Sequence, residues 1–75
     1  MDNQWIIKEV SLKLSRIAII DEISGKKRFV FVPHIQSAYV DQNKIVALTQ
    51  DCGYLIDIFS GVQRRFDPTK GVPSP

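Results

Sequence analysis

Asp21 and Asp57 are the residues whose type and spacing first suggest chemistry. Each ends an apolar run, and each opens the pattern Asp-x-x-Ser-Gly, as Asp21-Glu22-Ile23-Ser24-Gly25 and Asp57-Ile58-Phe59-Ser60-Gly61. A carboxylate in an apolar surround holds its proton more tightly and can act as a general acid or base. A carboxylate at the head of a turn can instead accept hydrogen bonds from the amides of the loop it opens. A turn is readily reused at identical spacing, whereas a catalytic acid has no reason to recur with the same neighbours. The spacing therefore assigns both aspartates to turn capping.

Cys52 and His34 would form a nucleophile and base only if the fold joined two distant points, a predicted turn at Asp51-Cys52-Gly53 and a strand end marked by Pro33. One Cys and one His supply too few ligands for a structural zinc site, and one Cys cannot form an internal disulfide. Acidic residues are scattered, and no glycine-rich phosphate loop opens a helix. The expectation is a protein that is not an enzyme, with no catalytic residue, no cofactor and no metal.

A third group is basic. Lys26, Lys27 and Arg28 precede Phe29 and Phe31, and Arg64 and Arg65 precede Phe66 at the matching place 36 residues later. Cations that neutralise phosphates beside aromatic rings that stack on bases are the means by which sheet proteins hold single-stranded nucleic acid. Phe29 and Phe31, however, alternate with Val30 and Val32, so both faces of that strand are apolar. This pattern puts the rings in the core and leaves the basic residues to guard strand edges. Lys26, Lys27, Arg28, Arg64 and Arg65 remain the candidate basic binding surface, and a net charge of +2 permits a polyanionic partner without requiring one.

The elements that must position these groups are strands. Ten Ile and seven Val against four Leu and three Ala favour pleated backbone, because branching at Cβ restricts the side chain in a helix and packs well on a sheet. Val10, Leu12 and Leu14 alternate with polar neighbours, so Trp5 to Leu14 reads as one strand or a pair with an apolar face. Ile17 to Asp21 and Tyr54 to Phe59 are apolar on both faces, which requires two-sided burial. Arg28 to Val32 and Val62 to Phe66 return from the Ser-Gly turns; Ser37 to Val40 and Lys44 to Gln50 lie between. No segment has helical periodicity over the roughly 11 residues a helix needs. The fold class is all-β, an antiparallel meander of six or seven short strands in a curled sheet or partial barrel. It reads as a single domain over residues 1–66, in units of about 4–33 and 37–66, followed by a disordered tail over 67–75 rich in Pro and Gly.

Sliding the chain by 36 positions superposes Lys8 on Lys44, Val10 on Val46, Ile20 on Ile56, Asp21 on Asp57, Gly25 on Gly61 and Arg28 on Arg64 without a gap. Such a period marks an internal repeat of one supersecondary unit. The run from Lys44 to Gly61, an apolar strand, an Asp-Cys-Gly turn, a second apolar strand ending in Asp and a Ser-Gly turn, resembles the central strands of a β-propeller blade of the WD or quinoprotein type. Ile20 to Gly25 resembles the later half of the same blade. The resemblance implies two blade-like units, and closure across several chains would be needed because a propeller requires at least about four blades. Ile56 stands where a WD blade carries Trp, and no Gly-His pair precedes the unit.

A chain of 75 residues buries only roughly 60% of the surface it exposes when unfolded. Two-sided apolar strands in so short a chain point to a partner surface. The expected function is a non-enzymatic module for protein–protein interaction or self-assembly as a homo-oligomer. The alternatives are nucleic-acid binding through the basic strands and ligand or carbohydrate binding by an oligomeric propeller-like assembly. With no leader pattern, no apolar run near the ~18 residues of a membrane span, and an unpaired Cys, the expected location is cytoplasmic and away from membranes.

Overall fold

Branched aliphatic residues in runs of five to seven, broken by Ser-Gly, Gln-Asn and Asp-Cys-Gly, produce strands joined by tight turns. The computed structural model describes residues 4–73. Its strands are β1 (Trp5–Ser11), β2 (Arg16–Asp21), β3 (Lys27–Phe31), β4 (Ile35–Asp41), β5 (Lys44–Thr49), β6 (Gly53–Asp57) and β7 (Gln63–Phe66). Every neighbouring pair is antiparallel. The all-β meander is as the composition requires. It does not close into a barrel: it divides between β3 and β4 into a three-stranded sheet, β1-β2-β3, and a four-stranded sheet, β4-β5-β6-β7.

The division falls at Pro33-His34. Pro33 has no N–H to continue the ladder, and His34 takes a left-handed φ of 59°. The chain leaves β3 and re-enters at Ile35 as the first strand of a second layer. Among the described residues, the Cα atoms span 35 × 29 × 16 Å. The shortest dimension suits two sheets stacked about 10 Å apart, so the molecule has two layers and two outer faces.

The core lies between the layers. Ile17 and Ile19 of β2 pack with Ile45 and Ala47 of β5, Ile56 of β6, and Ile58, Val32 and Ile35, all buried. Trp5, Ile7, Val10 and Val30 add to it from the first sheet, and Ala38, Val40 and Tyr54 from the second. Because side chains alternate along a strand, this contact settles the facing of both sheets. The first sheet turns Ile7, Val10, Ile17, Ile19, Arg28 and Val30 inward; Ala18, Ile20, Phe29 and Phe31 then point out. The second turns Ala38, Ile45, Tyr54 and Ile56 inward and Tyr39, Val46, Leu55 and Arg64 out.

Three local features differ from the sequence reading. Strand β1 stops at Ser11, and Leu12 and Leu14 sit exposed in the turn, where the Ser11 hydroxyl accepts the Leu14 N–H at 3.1 Å and Ser15 takes a φ of 53°. Strand β1 pairs three positions out of step with the repeat, so Trp5, not Lys8, stands opposite Asp21, whereas Lys44 stands opposite Asp57; a bulge between Ile7 and Glu9 accounts for one of the three. The gapless superposition thus applies to β2–β3 and β6–β7, and not to β1 and β5. Finally, the expected disordered tail begins with one 3-10 turn, Pro68–Lys70, capped by Asp67 through the Thr69 N–H. Ser74 and Pro75 lie outside the described residues.

Candidate functional site

The two aspartate turns match bond for bond. Each Asp carbonyl accepts the glycine N–H four residues on, Gly25 at 2.7 Å and Gly61 at 2.8 Å. Each Asp Oδ1 accepts the N–H two residues on, Ile23 at 3.0 Å and Phe59 at 2.9 Å. Each serine hydroxyl accepts the N–H two residues beyond it, Lys26 at 3.3 Å and Val62 at 3.2 Å. Gly25 and Gly61 both take the left-handed conformation, at φ 78° and 76°, which is why the fifth position is Gly.

What differs is the use of the spare carboxylate capacity. Asp21 is buried and accepts the Gln4 N–H at 3.0 Å and the Ser24 hydroxyl at 2.9 Å. The Gln4 amide, followed by the Ile23 and Ser24 donors, outweighs burial and keeps its pKa below the ordinary value. Asp57 accepts Lys44 Nζ at 3.0 Å. The Ser60 amide and then Lys44 draw its pKa from 3.8 to about 2. A carboxylate so loaded with donors is a poor proton carrier at neutral pH; both are turn caps.

Three of the five basic candidates, Lys26, Lys27 and Arg28, border one cleft, and Arg64 and Arg65 lie elsewhere. Lys26 and Lys27 are exposed at the start of β3. Arg28, itself exposed, lies on the face toward the second sheet, and its guanidinium donates to the carbonyl of Ile58, just after β6. Arg64 lies on the outer face of the second sheet, in register with Leu55, and Arg65 lies on the other face, in register with Tyr54. The phenylalanines reverse the expectation: Phe29 and Phe31 are 53% and 62% exposed. The second sheet packs on the Val30 side of β3, which leaves the other side to water. The Arg16 guanidinium lies 4.3 Å from the centre of the Phe29 ring, a cation–π contact.

Cys52 is buried in the β5–β6 turn, its sulfur 3.4 Å from Thr49 Oγ1. The Thr49 hydroxyl draws the thiol below its ordinary pKa. His34 is exposed in the loop before β4, and among the described residues no hydrogen bond joins the two. No group of three or more His, Cys, Asp or Glu side chains suited to a metal occurs among the described residues, and no described helix is long and apolar enough to cross a membrane.

Each aspartate turn also borders a cleft, and the two clefts correspond. In the first sheet the lining is Trp5, Asp21, Ser24, Lys26, Lys27 and Arg28, with Phe59 from the second sheet as one wall. In the second sheet it is Lys44, Leu55, Asp57, Ser60, Val62 and Arg64, with no wall from another sheet. Sequence reading identified both turns and the basic residues. It missed Leu55, Val62 and Lys44 as lining, because which face of β6 is outermost depends on how the sheets stack. No family model, no curated protein and no solved structure matches the chain.

Proposed function

We propose that this chain is a non-enzymatic β module that binds protein, with self-assembly as its principal mode. The observation that carries this reading is that both sheets are apolar on their outer faces as well as in the core. Phe29 and Phe31 are exposed on the first sheet, and Tyr39, at 48% exposure, stands beside the buried Val46 and Leu55 on the second. An isolated small domain gains nothing from rings held in water, and clustered exposed apolar side chains mark interaction surfaces. The near-equivalent turns support a reading of the chain as two blade-like units in series, each suited to stacking.

Light scattering behind a sizing column, at low and high salt, tests the reading on the purified chain. A defined oligomer in both salts is expected, since apolar contact persists when charges are screened. A monomer in both at the highest soluble concentration would remove self-assembly as the function.

One observation favours a second reading. The exposed Phe29 and Phe31 share a face with Arg16, and Lys27 projects from the same strand edge, an arrangement able to stack and neutralise a single-stranded nucleic acid. Such binding would weaken steeply as salt rises and would fail in Phe29→Ala/Phe31→Ala. Arg64→Ala would leave it intact, because that residue lies on the opposite sheet. Absent or salt-insensitive binding would exclude this reading.

A further inference from the structure

The contact between the two sheets is head to tail. Arg28 and Ile19 share one face of the first sheet, and it is this face that meets the second sheet. Their counterparts Arg64 and Leu55, in the same register on β7 and β6, lie on the face of the second sheet turned away from the first. The face that the first sheet turns toward its neighbour is therefore the face that the second sheet turns away. Conversely, the second sheet buries the face carrying Tyr54 and Ile56, whose counterparts on the first sheet, Ala18 and Ile20, are on the outer face.

We propose that a second copy of this chain docks the outer face of its β1–β3 sheet, led by its Glu22-Ile23 turn, onto the outer face of the β4–β7 sheet, repeating between chains the contact the two sheets make within one. The inference rests on the self-assembling reading above. Three details fit it. Arg28 reaches the Ile58 carbonyl; Arg64, exposed and with no hydrogen-bond partner among the described residues, reaches the carbonyl of Glu22 of the second copy, the residue that corresponds to Ile58. Phe59 walls the cleft beside Asp21 and Arg28; Ile23, its counterpart and 54% exposed, enters the unwalled cleft lined by Leu55, Asp57, Val62 and Arg64. Where the internal contact buries Ile58, the second copy presents the Glu22 carboxylate, which meets the cations Arg64 and Lys44.

This contact joins two different surfaces, so it is not used up when two copies meet. Each docked copy presents a fresh face of each kind, and growth ends only in a closed ring or continues as a filament. Two point variants separate this geometry from a symmetric dimer. Arg64→Glu spoils only the second-sheet face, by placing a carboxylate against Glu22. Ile23→Asn spoils only the first-sheet face, by removing the apolar side chain that fills the cleft. Both positions are solvent-facing, and Val62→Asp and Phe29→Asn serve as substitutes if circular dichroism shows either variant unfolded.

Sedimentation velocity is expected to show wild-type species larger than a dimer, each variant alone as a monomer, and an equimolar mixture of the two as a dimer that grows no further. In that mixture one intact pair of faces remains, and both outer ends are blocked. A wild-type oligomer whose variants stay assembled, or whose mixture stays monomeric, would overturn the head-to-tail geometry while leaving self-assembly in place. A monomeric wild type would overturn both.

Discussion

At the residue scale the Asp-x-x-Ser-Gly turns were legible because their chemistry is local. An Asp, a Ser and a Gly within five positions close their own hydrogen bonds, whatever the rest of the chain does. Asp57 carries a consequence for acid stability. Its folded pKa of about 2 lies below the ordinary 3.8, so the unfolded chain binds the proton more readily. The stabilisation is fully present above about pH 4 and is lost as pH falls toward about 2. Thermal melts across that window are expected to show wild type losing more of its melting temperature than Asp57→Asn, whose group does not titrate. Parallel losses would mean that Asp57 is not held by Ser60 and Lys44 in solution. The orientation of Phe29 and Phe31 was not legible at this scale. Alternation with Val30 and Val32 offers two apolar faces of equal quality, and only the position of the second sheet decides between them.

At the element scale, strand type and order were readable from β-branched runs and turn residues, whereas register was not. Strand β1 sets Trp5 opposite Asp21, three positions out of step with the repeat, one of them from the bulge at Ile7/Glu9, and no residue in β1 announces it: Lys8 and Glu9 would sit as comfortably in a regular strand. Gly53 is a second case. Its sequence context suggests a hairpin glycine with positive φ, but its φ is not left-handed; it is the opening residue of β6, paired with Phe66, and a Cβ there would overlap the Phe66 ring. The requirement is for space. Gly53→Ala is expected to cost about 1–3 kcal/mol as an overpacking substitution, and Phe66→Leu in the same chain to recover part of that loss. Denaturant titration of the two singles and the double reads the coupling. Additive effects would show that the ring does not lie over Gly53.

At the scale of the whole molecule, the sequence implied that two-sided strands need cover, and the structure shows how far one chain supplies it. Ile17, Ile19, Ile45 and Ile56 are fully buried between the layers. On the outer face of the second sheet, Val46 and Leu55 lie buried in a row between the exposed Tyr39 and Arg64. The separation of Arg28 from Arg64 and Arg65 also belongs to this scale. Their matching positions in sequence suggest one basic surface, and head-to-tail stacking turns matching faces in opposite directions: Arg28, though exposed, reaches the second sheet, and Arg64 lies on the face turned away from the first.

The central claim, that the two outer faces meet a second copy, is tested most directly by methyl NMR of the Ile, Leu and Val side chains over a dilution series. Concentration-dependent shifts are expected at Ile20 and Ile23 on the first sheet and at Leu55 and Val62 on the second, while Ile17, Ile45 and Ile56 stay fixed. Spectra that do not change with concentration, or changes confined to one sheet, would contradict the account.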